Sequence, residues 1–143
     1  KEILDHCNLN AEFFIHPRTK KRLDEFNLWS ILSSRISIKS PLNYLGFLKK
    51  ICESNFILTD SGGLQEEACI LGTPCFTLRK STERPETVEC GANLVLGVDE
   101  PAKIFKKFNL ISSNKRWISP FGDGHAADNI IKNSIEWLKE NNL

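Results

Sequence analysis

The stretch Phe56-Ile57-Leu58-Thr59-Asp60-Ser61-Gly62-Gly63-Leu64-Gln65-Glu66-Glu67-Ala68-Cys69-Ile70-Leu71-Gly72 decides how the chain is read. Phe56 to Leu58 is a short apolar run of the kind that forms a buried parallel strand. Asp60-Ser61-Gly62-Gly63 interrupts it, after which Leu64, Ala68 and Leu71 recur at helical spacing. Asp60 or Ser61 suits an N-cap, and Gly72 stands where a helix stops. The unit is strand, tight turn, helix. Backbone N–H groups at such a helix start have no partners within the helix, and with no side chains over them they form an anion site that phosphate commonly fills. Glu67 lies one turn beyond Gly63 on the same face, where its carboxylate can accept from sugar hydroxyls. The same residues also suit an ordinary βα loop whose glycines only supply unusual backbone angles. On the residues alone the two readings stand level. Neither the Lys-Ser/Thr ending of a P-loop nor GxGxxG spacing is present.

Outward from this unit the pattern repeats. Residues 1–8 read as the last turns of a helix, with Ile3, Leu4 and Cys7 on one side. Ala11 to Ile15 reads as a strand ending at His16-Pro17-Arg18, and Thr19 to Phe26 as a helix with Leu23 and Phe26 inward. Arg35 to Lys39 alternates as a strand, and Ser40-Pro41 opens a helix with Tyr44, Leu45, Phe47, Leu48 and Ile51 as its apolar face. Beyond Pro74, Cys75 to Leu78 is a strand, Pro85 to Gly91 bounds a helix, Asn93 to Leu96 is a strand and Glu100 to Phe108 a helix. Residues 112–124 are irregular, and Ala126 to Glu140 is a long amphipathic helix. Five alternations predict an α/β fold, a Rossmann-like parallel sheet with helices on both faces. Ligands of such sheets bind beyond the carboxyl ends of the strands. His16-Arg18, Lys39 to Leu42, Asp60 to Gly63 and Arg79 to Arg84 all fall there.

The chain has 143 residues, enough for one domain with a real core. Its 19 basic and 18 acidic residues are dispersed, so charge gives no support for a nucleic-acid partner. No apolar run reaches membrane-spanning length, and no signal-peptide pattern opens the chain. Cys7, Cys52, Cys69, Cys75 and Cys90 show no CxxC pairing. Four of them sit in apolar patterns, which favours buried free thiols in a reducing cytoplasm over a zinc site. The chain has no methionine and opens on Lys1 within a helical pattern, so a longer product is expected.

Several constellations bear on chemistry. His16 and Arg18 bring an imidazole and a guanidinium to a strand end, able to meet phosphate oxygens or simply to sit in a solvated loop. Arg84, just before a helix, is placed to neutralise a diphosphate leaving group, though its mixed-charge loop also suits plain surface. Phe47 and Tyr44 fit a core better than a base-stacking platform. Glu66 and Glu67 cannot both face one ligand, since helix neighbours point about 100° apart. No Ser-His-Asp, Cys-His or metal-ligating spacing is present.

Leu58 to Ala68, Leu71-Gly72-Thr73-Pro74-Cys75 and Thr82-Glu83-Arg84-Pro85-Glu86-Thr87-Val88-Glu89 with Gly91 closely resemble the non-hydrolysing UDP-N-acetylglucosamine 2-epimerases. So, in the same order along the chain, do His16 to Leu23, Pro41 to Leu45 and Phe121 to Gly124 with Ala126-Ala127. The resemblance implies a glycosyltransferase-B-like fold of which residues 1–143 form most of the C-terminal, UDP-binding domain, lacking that domain's first strand. It implies interconversion of UDP-N-acetylglucosamine and UDP-N-acetylmannosamine by elimination and re-addition of UDP, with no cofactor and no metal. By the match, Ser61, Gly62 and Gly63 hold the diphosphate, Glu67 takes the ribose hydroxyls, and Arg84 sits by the phosphates. Leu42, through its backbone, and Phe47 border the uracil; His16 and Arg18 are a regulatory or second phosphate contact. The family's catalytic carboxylates lie in an N-terminal domain absent from this chain, so the chain alone is expected to be inactive. The implied partners are UDP-N-acetylglucosamine or UDP, the missing domain and a second copy in a homodimer, in the cytoplasm, with no nucleic acid and no membrane. The rival readings are a hydrolysing relative, an epimerase of a related UDP-2,3-diacetamido sugar, a UDP-sugar glycosyltransferase of the same fold, and a nucleotide-binding module without catalysis.

Overall fold

The computed structural model describes residues 10–97 and 117–141. The helices expected over residues 1–8 and Glu100 to Phe108, and Cys7, lie outside the described residues. The elements are β1 (Glu12–Phe14), α1 (Pro17–Glu25), α2 (Trp29–Ser33), β2 (Ser37–Lys39), α3 (Tyr44–Glu53) and β3 (Ile57–Thr59). There follow α4 (Gly62–Leu71), β4 (Cys75–Thr77), α5 (Pro85–Glu89), β5 (Asn93–Val95) and α6 (Ala126–Glu140). This is the expected α/β, Rossmann-like arrangement, with every strand pair parallel. The strands form two sheets rather than one: β1 pairs with β2, and β3-β4-β5 lie in that order.

β4 is the middle strand of the larger sheet. Its three residues are all buried, a continuous run rather than an alternation, as befits a strand covered on both faces. Leu58 of β3 sits opposite Phe76 of β4, itself opposite Leu94 of β5. Helix α4 crosses from β3 to β4, and α5 from β4 to β5. Ile51 of α3, Ala68 of α4 and Cys75 of β4 form the buried cluster, with Phe47, Leu48, Ile57, Leu64 and Leu71 packed round it. Burial pushes the Cys69 and Cys75 thiols up to about 12, so neither is poised as a nucleophile. Cys90 is half-buried and Cys52 exposed.

Helix α3 ties the two sheets together. Phe47 meets Phe14 of β1 edge to face at 5.7 Å, and Lys50 Nζ pairs with Glu12 at 3.1 Å. On its other side the Thr73 hydroxyl, leading into β4, donates to the Ile51 carbonyl at 2.9 Å.

Three local expectations change. Helix α3 begins at Tyr44, not at Ser40-Pro41, because the Asn43 side chain accepts from the Gly46 N–H at 2.8 Å and caps it. Starting there turns Tyr44 and Leu45 outward, and they are exposed. Phe26 is not inward either: it is the C-cap of α1, exposed, with Arg22 over its ring. We expect Asn43→Ala in the full-length protein to cost about 1 kcal/mol, read as a denaturant midpoint shift. Ser40→Ala should cost nothing measurable; a loss there instead would restore the earlier helix start.

Candidate functional site

The β3–α4 turn is built as its residues require. Thr59 ends β3, buried, and its hydroxyl accepts from the Ser61 N–H at 3.0 Å, closing the turn. Ser61 occupies the N-cap, yet its hydroxyl makes no capping bond. The first bond of the helix runs from the Gln65 N–H to the Ser61 carbonyl. Among the described residues, the N–H groups of Gly62 and Gly63 meet no protein acceptor.

The glycines separate the two readings of this turn. Neither Gly62 nor Gly63 has a positive φ, whereas Gly72, the C-cap of α4, does at 76°. Unusual backbone angles are therefore not why glycine stands at 62 and 63, and glycine in a helix costs roughly 0.5–1 kcal/mol relative to alanine. What their bare backbone supplies is access. A Cβ on Gly63 would meet nothing within 4 Å, and one on Gly62 would lie 3.7 Å from the Arg84 guanidinium carbon.

That second distance brings the β4–α5 loop onto the same turn. The loop leaves the carboxyl end of β4, where the Leu78 N–H donates to the Thr59 carbonyl at 2.8 Å. Arg84 is the N-cap of α5 with Pro85 at its first position. Its Nε lies in ion-pair contact with Glu66 of α4, without the alignment of a hydrogen bond, and one terminal nitrogen donates to the Glu83 carbonyl at 2.9 Å. Glu83 in turn pairs with Arg79 at 3.1 Å. So the two neighbouring carboxylates divide their work as the helix angle requires: Glu66 holds the arginine, and Glu67 points elsewhere.

Glu67 faces the start of α3. Its carboxylate raises the Tyr44 phenol above its usual range, with a smaller contribution from burial. Tyr44, read as core from the sequence, is instead an exposed aromatic beside Glu67, on the rim with Leu42. Phe47 is half-buried one turn deeper, against Phe14. The structure thus gathers Ser61, Gly62, Gly63, Glu67 and Arg84 at one strand end, with Leu42 and Phe47 on the adjoining helix start. His16 and Arg18 are not joined to the turn by any hydrogen bond or ion pair among the described residues. His16 caps α1, its Nδ1 accepting from the Arg18 N–H at 3.2 Å.

Behind the turn lies a polar core that the sequence reading missed. Gln65, Thr77, Thr87 and Asn93 are all buried. The signal was present: Gln65, Ala68 and Cys69 share one helical face, and a residue grouped at i, i+3, i+4 with buried neighbours is itself inward.

In chemistry, the site offers unfilled N–H donors at a helix start, an arginine, and a carboxylate one turn on. That set suits a diphosphate joined to a polyhydroxylated group.

The family model described as UDP-N-acetylglucosamine 2-epimerase matches residues 1–134. A UDP-N-acetylglucosamine 2-epimerase of Methanocaldococcus jannaschii is 50% identical over 134 residues, covering 92% of this chain and 36% of its own length. The structure of the M. jannaschii enzyme in complex with UDP-GlcNAc and UDP superposes with a TM-score of 0.83 at 47% identity, over 94% of this chain and 38% of that one. That of Neisseria meningitidis, bound to UDP-GlcNAc, gives 0.70 at 27% identity, over 94% and 40%. The chain thus spans a little over a third of the length of these relatives.

Proposed function

The chain belongs to the UDP-N-acetylglucosamine 2-epimerase family, and from that premise we propose that it is the UDP-binding part of a non-hydrolysing enzyme interconverting UDP-N-acetylglucosamine and UDP-N-acetylmannosamine. The observation that carries the reading is the Arg84 guanidinium set against Gly62, at the open helix start where a diphosphate fits.

The reaction has two halves. A base removes the proton at C2 while the bond from C1 to the UDP oxygen breaks, leaving a C1–C2 double bond and free UDP. UDP then adds back at C1 as a proton returns to C2 on the other face. Expelling UDP places new negative charge on the diphosphate, and the residues of this chain answer that need. The Gly62 and Gly63 N–H groups and the Ser61 hydroxyl donate to phosphate oxygens, and Arg84 neutralises the charge that develops. Glu67 accepts from the ribose hydroxyls, while the Leu42 backbone and Phe47 border the uracil. His16 and Arg18 form a separate phosphate or regulatory contact. The groups that move the C2 proton belong to an N-terminal domain of the complete protein, which works as a homodimer in the cytoplasm and supplies N-acetylmannosamine for surface polysaccharide.

The test is proton NMR of the full-length protein with UDP-N-acetylglucosamine in deuterated water. We expect the manno isomer to appear with deuterium at C2. Release of free sugar and UDP would instead assign the hydrolysing reaction, and an unchanged spectrum would remove epimerisation of this substrate.

A further inference from the structure

We propose that Gln65 is a positioning residue for the diphosphate: its buried carbonyl oxygen is the joint that holds the β4–α5 loop so that Arg84 faces the Ser61–Gly63 turn. This rests on the UDP-binding reading above and adds to it a residue that touches no ligand.

The hydrogen bonds run in one consistent direction. Gln65 Oε1 accepts from the Thr82 hydroxyl at 2.5 Å and from Asn93 Nδ2 at 3.0 Å. Thr82 Oγ1 in turn accepts from the Arg84 N–H at 3.0 Å. Asn93 Nδ2 also donates to Thr87 Oγ1 at 3.0 Å, and the Thr87 hydroxyl donates to the Arg84 carbonyl at 2.7 Å. The N–H and the C=O of Arg84 are therefore each held by a threonine, and both threonines lead back to Gln65, one directly and one through Asn93. Thr77, on the central strand, donates to Asn93 Oδ1 at 2.9 Å, which leaves the Asn93 amide nitrogen to face Gln65 and Thr87. Each of the three hydroxyl protons is used once.

The other end of the Gln65 side chain shows that the oxygen is what the site uses. Gln65 has no exposed surface, and its Nε2 has no hydrogen-bond partner among the described residues. A buried donor left unmet is unfavourable, so an amide is a poor residue for packing alone at this position. Its carbonyl instead fixes two neighbours, one of them on the loop that carries Arg84. Arg84 is thereby set before ligand arrives, which spares the cost of ordering a flexible cation on binding.

The experiment compares UDP and uridine binding by calorimetry in the full-length protein, for wild type, Gln65→Met, Arg84→Ala and the double variant. Gln65→Met keeps volume and shape while removing the acceptor. We expect it to weaken UDP about tenfold and leave uridine within about twofold. The double variant should bind UDP no more weakly than Arg84→Ala alone, because a residue acting through Arg84 has nothing left to position. Equal losses for UDP and uridine, or multiplying losses in the double variant, would overturn the proposal. If Gln65→Met does not fold, Thr82→Val is read the same way, since it cuts the link from Gln65 to the Arg84 N–H alone; unchanged UDP affinity there also overturns it. Arg84→Ala binding UDP like wild type would remove the site itself and the proposal with it. Loss with Arg84→Ala but none with Gln65→Met would remove the proposal alone.

Discussion

Arg84→Ala and Glu67→Ala, each in the full-length protein, should weaken UDP binding about a hundredfold. A hydrogen bond to a charged group contributes roughly 1.5–3 kcal/mol, and a hundredfold change in affinity is about 2.7 kcal/mol. One or two such bonds from the guanidinium to phosphate account for the loss. Removing Arg84 also leaves Glu66, its present partner, uncovered beside an incoming anion, which adds repulsion to the missing attraction. Glu67 is proposed to work on the other end of the ligand. Its variant should lose affinity for uridine as well as for UDP, and a 2′-deoxyribose analogue should narrow the gap between variant and wild type. Calorimetric titration reads all of these. Wild-type affinity in both variants would mean that the site has been assigned to the wrong residues.

The second large effect concerns stability. Phe76→Ala in the full-length protein should cost about 3–5 kcal/mol, against a typical total stability of roughly 5–15 kcal/mol. Phe76 is 1% exposed at the middle of the central strand and meets Phe56 edge to face at 5.5 Å. Its loss leaves a cavity between strands that pair on both sides and cannot close over it. The matched control is Phe26→Ala, the same change at a residue 64% exposed, which should move the urea midpoint little. A Phe76 variant as stable as that control would mean that β4 is not the centre of the core.

These two predictions differ in how readily the sequence yields them. The β3–α4–β4 unit was legible because its signals are local: an apolar run, a capping turn, Gly72 at the helix end, then another apolar run. Helix α6 matches its expected span, Ala126–Glu140, for the same reason. Errors arose where two local signals competed, as at α3, where the Asn43 cap prevailed over Ser40-Pro41, and where an element was short, as with the five residues of α2, Trp29–Ser33. The Gln65–Asn93 bond was hidden for another reason. It joins residues 28 apart in sequence, and no local pattern says which polar residue a buried amide will meet. The two glycines at the turn are a middle case. Their type and place were plain, but only the backbone angles could tell access from turn-making.

In the proposed UDP site, the ion pair between Arg84 and Glu66 would set how tightly the ligand is held. A guanidinium already matched to a carboxylate does not wait as a bare charge; on the proposed function it would change partners when a diphosphate arrives. Its contribution to affinity is then a difference between two anions rather than the full attraction to one. An enzyme that must let a bond to UDP break and then re-form needs the detached nucleotide held, but not trapped. In the proposed reaction, exchange of counter-ions at Arg84 would meet both demands, because the outgoing diphosphate would have Glu66 as a competitor, next in sequence to the carboxylate proposed to accept from its ribose.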